Sequence, residues 1–141
     1  MKATFCKVAM MIGVAALGTS CLQAQQISEK GAIPFDFQVS GQKIAAGTYT
    51  VMCMKTGAGA MLAMRNTETR KSGYLPHAVN KQGEPGESKL VFRKYGDRYF
   101  LAEVWFPEEN GAHVYPVSRA EKEVATALNT QAPQTVYIAM R

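Results

Sequence analysis

The chain is poor in the residue types that announce a catalytic or metal centre. It has two histidines, one tryptophan and three cysteines in 141 residues. Two of the cysteines, Cys6 and Cys21, fall near the start, so Cys53 stands alone downstream. A lone thiol forms no internal disulfide, which excludes a disulfide scaffold. Met52 and Met54 flank it, as suits a small buried hydrophobe. Beyond the first residues there is no apolar run near the about 20 residues of a membrane-spanning helix. There is also no block of like charge, no internal repeat and no low-complexity segment. The formal charge is +5, but Lys2 and Lys7 belong to the extreme N-terminus. Residues 25–141 carry fourteen basic and eleven acidic side chains, a net of +3. These charges are interleaved, as in Glu121-Lys122-Glu123, which argues against a nucleic-acid partner.

What is present begins with an address. Lys2 and Lys7 precede the apolar stretch Val8–Gly18, and small residues lead on to Ala24. This is the pattern of a secretory signal peptide, too short for a bilayer span. Residues 1–24 are read as the signal and 25–141 as a single β-rich domain. The protein is expected to be exported, to the periplasm or beyond. A lipid anchor on Cys21 is disfavoured, because Gly18 occupies the place where such signals carry an aliphatic residue. The remaining 117 residues suffice for one domain and its core.

Alternation of apolar and polar residues predicts strands. Gln25 to Gly31 reads as a polar, frayed lead-in. Ile33–Val39 reads as a half-buried strand, with Phe35, Phe37 and Val39 on one face. Thr48–Met54 follows, with Tyr49, Val51 and Cys53 on one face, and then Ala60–Arg65. Gly73–Val79 is a weaker strand interrupted by Pro76, and Asn80–Ser88 reads as a loop. Lys89–Tyr95 and Arg98–Phe106 flank Gly96-Asp97, the signature of a tight hairpin. Both faces of this hairpin are partly apolar, so it is expected to be central, with Phe100, Ala102, Val104 and Phe106 sharing one face. His113–Val117 is a short strand, and Thr135–Met140 a C-terminal one.

Ser118-Arg119-Ala120-Glu121 matches a capping box, with a helix to about Leu128 and a small stripe of Ala120, Val124, Ala127 and Leu128. The sum is a mainly β chain of about seven strands, an antiparallel sandwich or a small barrel, with one short helix in the C-terminal region.

Three blocks carry a resemblance. They are Ile33-Pro34-Phe35-Asp36-Phe37 with Ala46-Gly47-Thr48-Tyr49-Thr50-Val51, Leu90–Phe92 with Tyr95–Trp105, and Ser118–Glu121. Their order and spacing resemble a family of small exported bacterial proteins of unknown function. The likeness covers nearly the whole of residues 25–141, and the middle block is its most specific part. Two departures stand out: Ile44-Ala45 replaces the family's Leu-Pro, and Ser118–Val124 is less basic than the family pattern. The resemblance implies export and a β-rich domain. It implies no activity and no site residues.

Candidate chemistry is thin. Cys53, His77 and His113 could ligate a metal only by converging in space, since they show no short paired spacing. No metal site and no cofactor is expected. Ser118 is better explained as a helix cap than as a nucleophile. Asp36 and Glu103 could form a carboxylate pair only if the fold brought them together. Tyr95, Tyr99, Trp105, Tyr115 and Tyr137 are candidates for a sugar-binding or apolar-ligand face.

The favoured reading is therefore a non-catalytic exported β-domain that binds a protein or a glycan in the cell envelope. The alternative is a carrier of a small apolar ligand in a barrel lined by Phe35, Phe37, Met52, Met54, Phe92 and Val104. A third is an envelope hydrolase using Asp36, Glu103 or His113. The sequence does not specify the oligomeric state. Intact-mass measurement of the protein recovered from its envelope fraction should give a chain beginning at Gln25. A mass retaining residues 1–24, or one with lipid on Cys21, would contradict the assigned address.

Overall fold

The computed structural model describes residues 26–84, 86–129 and 132–141. The expected signal peptide, with Cys21, lies outside the described residues. In chain order the strands are β1 (Gln26–Ile33), β2 (Phe37–Val39), β3 (Gln42–Ile44), β4 (Gly47–Thr56), β5 (Gly59–Asn66) and β6 (Ser72–Tyr74). They continue with β7 (Val79–Gln82), β8 (Lys89–Tyr95), β9 (Arg98–Trp105) and β10 (Gly111–Val114); helix α1 (Arg119–Ala127) and β11 (Gln134–Ala139) complete the order. Four strands form one sheet in the order β1-β4-β5-β6. The other sheet has seven, with the path β11-β8-β9-β10-β7 and the small β2–β3 hairpin attached beside β9. Neither closes into a barrel. They face each other as a sandwich around one core that includes Ile33, Phe37, Val51, Leu62, Phe92 and Val104. Among the described residues no helix is long and apolar enough to cross a membrane.

The strand count exceeds the expected seven because several strands have only three or four residues. Two segments change from the sequence reading. The polar lead-in is not frayed: β1 pairs with β4 along its whole length, from Gln26↔Met54 to Ile33↔Gly47. Ile27, Gly31 and Ile33 turn inward at alternate positions, a pattern that Glu29 and Lys30 disguise. The expected strand Ile33–Val39 is two strands in different sheets. The chain crosses between the sheets at residues 34–36, where Pro34 offers no amide to a ladder. Asp36 Oδ1 accepts from the Ala46 amide at 2.7 Å, and Phe35 stacks on Tyr99 with ring centroids 3.7 Å apart.

A second crossing follows the same logic. Gly73–Val79 is broken at Pro76, and residues 75–78 pass from the first sheet to the second. β7 then occupies part of the stretch read as a loop, pairing Val79–Gln82 with β10. Its polar composition suits an edge strand with both faces wet.

The β8–β9 hairpin forms across Gly96-Asp97, and Gly96 takes the positive φ of 57° that the turn requires. It is central in its sheet. One detail departs from the expected face: Val91 pairs with Glu103, but Phe92 pairs with Leu101, so Ala102 is an extra residue. This bulge reverses the alternation. Tyr99 and Leu101 face the core before it, and Val104 and Phe106 after it. Phe100 instead packs with Tyr95 on the opposite face.

Helix α1 sits over that opposite face. Ser118 caps it, its hydroxyl accepting from the Glu121 amide at 3.2 Å. Its small apolar stripe is only partly covered, with Ala120 and Val124 half-buried and Ala127 and Leu128 exposed, and the one buried residue of the helix is Glu121, 1% exposed. Its carboxylate accepts from Arg93 Nε and from Nη2, the latter at 2.9 Å. Arg93 Nη2 also donates to the Tyr115 carbonyl at 3.0 Å.

Removing one member of a buried pair strands the other, at a cost of about 3–5 kcal/mol, whereas an apolar pair of similar volume is tolerated. Glu121→Ala should therefore lower unfolding stability in urea by about 3 kcal/mol, and Arg93→Met with Glu121→Leu should regain most of it. A single-variant loss below about 1 kcal/mol would mean that the pair behaves as a surface ion pair.

Candidate functional site

The two lateral margins of the sandwich differ. On one side β1 is laced to the C-terminus: Lys30 and Arg141 exchange backbone hydrogen bonds of 2.7 and 2.9 Å. On the other side the sheets stand apart. β6 covers only Ala63–Arg65 of β5, and the Leu75 amide donates to the Leu62 carbonyl. Among the described residues, Gly59–Met61 have no strand neighbour on that side. Across the gap lies β7, the last strand of its sheet.

Between these edges runs a cleft with two lobes of about 970 and 540 Å³. The larger is walled by apolar residues such as Leu75, Pro76 and Ala78, the smaller by Lys55, Asn80 and Lys81. Ala60, Asn80 and His113 border both. Met61, Tyr74 and Val79 are 45%, 66% and 57% exposed, and all three line the larger lobe. Scattered apolar residues are ordinary on a surface, but several around one concavity mark an interaction site.

At the base of the cleft three side chains meet. Cys53 comes from β4, facing inward beside Val51. His113 comes from β10, opposite Val104, which the Ala102 bulge has turned toward the core. Glu109 comes from the turn before β10. His113 Nε2 is 2.6 Å from Glu109 Oε2 and 3.9 Å from Cys53 Sγ, and Cys53 Sγ is 3.8 Å from Glu109 Oε1. Lys55 Nζ lies 3.2 Å from Glu109 Oε1, toward solvent. The approach of β10 to β7 depends on Gly111, with φ 156°, because a Cβ there would stand 2.1 Å from the Lys81 carbonyl oxygen.

Burial pushes the Cys53 thiol up to about 11, and the neighbouring Glu109 charge adds to the rise while Lys55 opposes it. Tyr115 is fully buried, and its hydroxyl has no hydrogen-bond partner among the described residues. Burial raises its pKa first, and the charge of Cys53 second.

No family model, curated protein or solved structure matches this chain. The chemistry of the site must therefore be read from its geometry.

That geometry does not make a thiol nucleophile. A catalytic imidazole takes the thiol proton on one ring nitrogen and is oriented through the other. Here Glu109 and Cys53 both address Nε2. A reactive thiol also needs a depressed pKa, whereas that of Cys53 is raised.

The other residues singled out from the sequence scatter. Tyr95 is buried beneath the helix, raised by burial and by the Glu121 carboxylate. Tyr99 is half-buried on Phe35, and Tyr115 is in the core. Trp105 and the exposed Tyr137 lie on the outer face of the seven-stranded sheet with the Lys89 ammonium over both rings, 5.3 and 5.4 Å from their centroids. Asp36 and Glu103 have separate partners: Asp36 holds the Ala46 amide, and Glu103 accepts from Trp105 and Lys81. His77 is exposed on the cleft wall, apart from the cluster.

Of the residues considered as a barrel lining, Phe37, Phe92 and Val104 fill the core, and Phe35 packs against it. Met52 and Met54 alternate with the inward residues of β4 and turn the other way. With no barrel formed, these six residues enclose no common interior.

Glu109, Tyr74 and Val79 were not singled out from the sequence. Glu109 sits four residues before His113 across a tight turn, which is the one local signal that could have paired them.

Alkylation of Cys53 in the folded protein at pH 8 should run at least about 100-fold slower than in the urea-unfolded chain, from a thiol pKa about two units higher and from burial. A rate within tenfold of the unfolded one would contradict the environment described. The same shift has a linkage consequence. The folded thiol holds its proton up to about 11 and the unfolded one only to about 9.0, so this contribution to stability is lost as pH rises through that window.

Proposed function

We propose that this protein is an exported, non-catalytic binding domain that takes an extended segment of another envelope protein into the cleft between β5 and β7. The observation that carries this reading is the coincidence of two uncovered strand edges with three exposed apolar side chains in one concavity. An unpaired edge offers a row of backbone donors and acceptors, and an added strand satisfies them. Apolar side chains beside the edge then select the residues of the incoming segment. The larger lobe is of the size that holds such side chains.

A glycan partner is the second reading. It is supported by Trp105 and Tyr137, which flank Lys89 on the outer face of the seven-stranded sheet. Aromatic rings on an open face suit sugar rings. The two readings use different faces, so substitutions separate them.

A photo-crosslinking residue placed at Val79 should join the protein to one defined segment of an envelope partner, while the same residue at exposed Arg119 should not. A peptide of that segment should bind the purified protein. Met61→Asp and Val79→Asp should each weaken it about tenfold, the equivalent of losing most of one buried side chain. Crosslinks equally frequent at Arg119, or a peptide affinity unchanged by both substitutions, would overturn the cleft reading. Loss of glycan binding in Trp105→Ala and Tyr137→Ala with the cleft intact would favour the second.

A further inference from the structure

We propose that Cys53, Glu109 and His113 bind a zinc-class divalent cation at the base of the cleft. The sulfur, oxygen and nitrogen donors come from a strand, a turn and a second strand in the other sheet, yet they lie within 4.8 Å of one another. Ordinary burial explains a cysteine at an inward position of β4. It does not by itself place an imidazole and a carboxylate there: these two pair with each other, and Glu109 also with Lys55, yet both stand beside the buried sulfur.

The separations suit the cation. Zinc held at about 2.3 Å from sulfur and about 2.1 Å from nitrogen or oxygen, in a tetrahedron, places its ligand atoms roughly 3.3–3.6 Å apart. Cys53 Sγ stands 3.9 Å from His113 Nε2, and the sulfur, carboxylate and imidazole donors all lie within 4.8 Å of one another. The 2.6 Å contact between Nε2 and Glu109 Oε2 is a hydrogen bond. Replacing its proton by a cation lets that pair open toward the same spacing.

The donor set selects the class of metal. Thiolate and imidazole favour zinc over calcium or magnesium, which prefer all-oxygen sites. One thiolate and one carboxylate balance a divalent charge. Binding moves the Cys53 thiol proton to solvent, and the proton between Nε2 and Glu109 Oε2 passes through solvent to Nδ1, so that neutral His113 presents its Nε2 lone pair. Lys55 keeps Glu109 Oε1 and leaves Oε2 for the cation. Glu109 and His113 line the cleft, so the cation has a path from solvent. Three protein ligands leave a fourth position for water.

The site does not depend on what the cleft holds, so it is tested without a partner. The purified protein, stripped with a chelator, is titrated with Zn²⁺ against a chromophoric competitor and separately with Co²⁺. One equivalent of each should bind. The cobalt form should show a near-ultraviolet thiolate-to-cobalt charge-transfer band and the visible bands of a tetrahedral ion. Cys53→Ser should abolish the charge-transfer band and weaken Zn²⁺ at least 100-fold. Glu109→Gln, on the turn, should weaken it more than tenfold and keeps the comparison valid should Cys53→Ser not fold. Folded wild-type protein with no charge-transfer band, or Zn²⁺ affinity unchanged in a folded Cys53→Ser or Glu109→Gln variant, would overturn the proposal.

Discussion

The extra residue at Ala102 is the constraint on which the rest of the architecture depends. An antiparallel strand of a sandwich turns alternate side chains to the core, and no single alternation could bring Tyr99, Leu101, Val104 and Phe106 all there. The bulge solves this by changing phase mid-strand. Tyr99 and Leu101 reach the core from one half of β9, and Val104, with Phe106 just beyond the strand, from the other. Phe100 is freed to pack against Tyr95 under the helix. The Ala102 carbonyl accepts the Tyr115 amide at 2.8 Å, which holds the end of β10 in place. Because Val104 points inward, its cross-strand neighbour His113 does too, and so comes to face Cys53 of the opposite sheet. The site at the cleft base is a consequence of that one inserted residue.

The difference between the two margins is the second organising fact. The chain closes one margin with its own C-terminus, through the reciprocal Lys30–Arg141 bonds. At the other, the crossing at residues 75–78 carries the chain between sheets without filling the space beside β5. Soluble β-domains commonly blunt their edges with charge, proline or short length. β6 and β7 are short, and Lys81 is on β7, but Met61, Tyr74 and Val79 remain exposed where protection would place polar residues. An edge left apolar around a concavity is consistent with an occupant, and it gives the proposed binding function its physical content.

The parts of this fold that were legible in the sequence are those governed by local rules. Gly96-Asp97 between two β-rich runs marked the central hairpin, and Ser118 marked the start of the helix. What escaped depends on tertiary context. Alanine is indifferent to which face it occupies, so the bulge at Ala102 left no trace in the alternation. Glu29 and Lys30 gave β1 the look of a solvated lead-in, although its inward positions are Ile27, Gly31 and Ile33. Asn80-Lys81-Gln82 read as a loop because a wet edge strand and a loop have the same composition. Helix α1 was legible in extent but not in its anchor, since a glutamate at a capping position gives no sign that its carboxylate will meet Arg93. The cleft-base cluster was hidden for a similar reason. Cys53 and His113 are 60 residues apart in the chain, and Glu109 stands in a turn rich in polar residues, where a solvated carboxylate is the ordinary expectation.

The margin between β5 and β7 is an open slot flanked by strand edges that are unpaired among the described residues. Residue-resolved amide hydrogen exchange of the purified protein tests it most directly. The account predicts the slowest exchange at Leu90–Phe92 and Leu101–Val104. It predicts near-unprotected rates for the amides of Gly59–Met61 that point away from β4 and those of Val79–Gln82 that point away from β10. Protection of both edges equal to that of β8 and β9 would mean that the slot is closed, and would contradict the account.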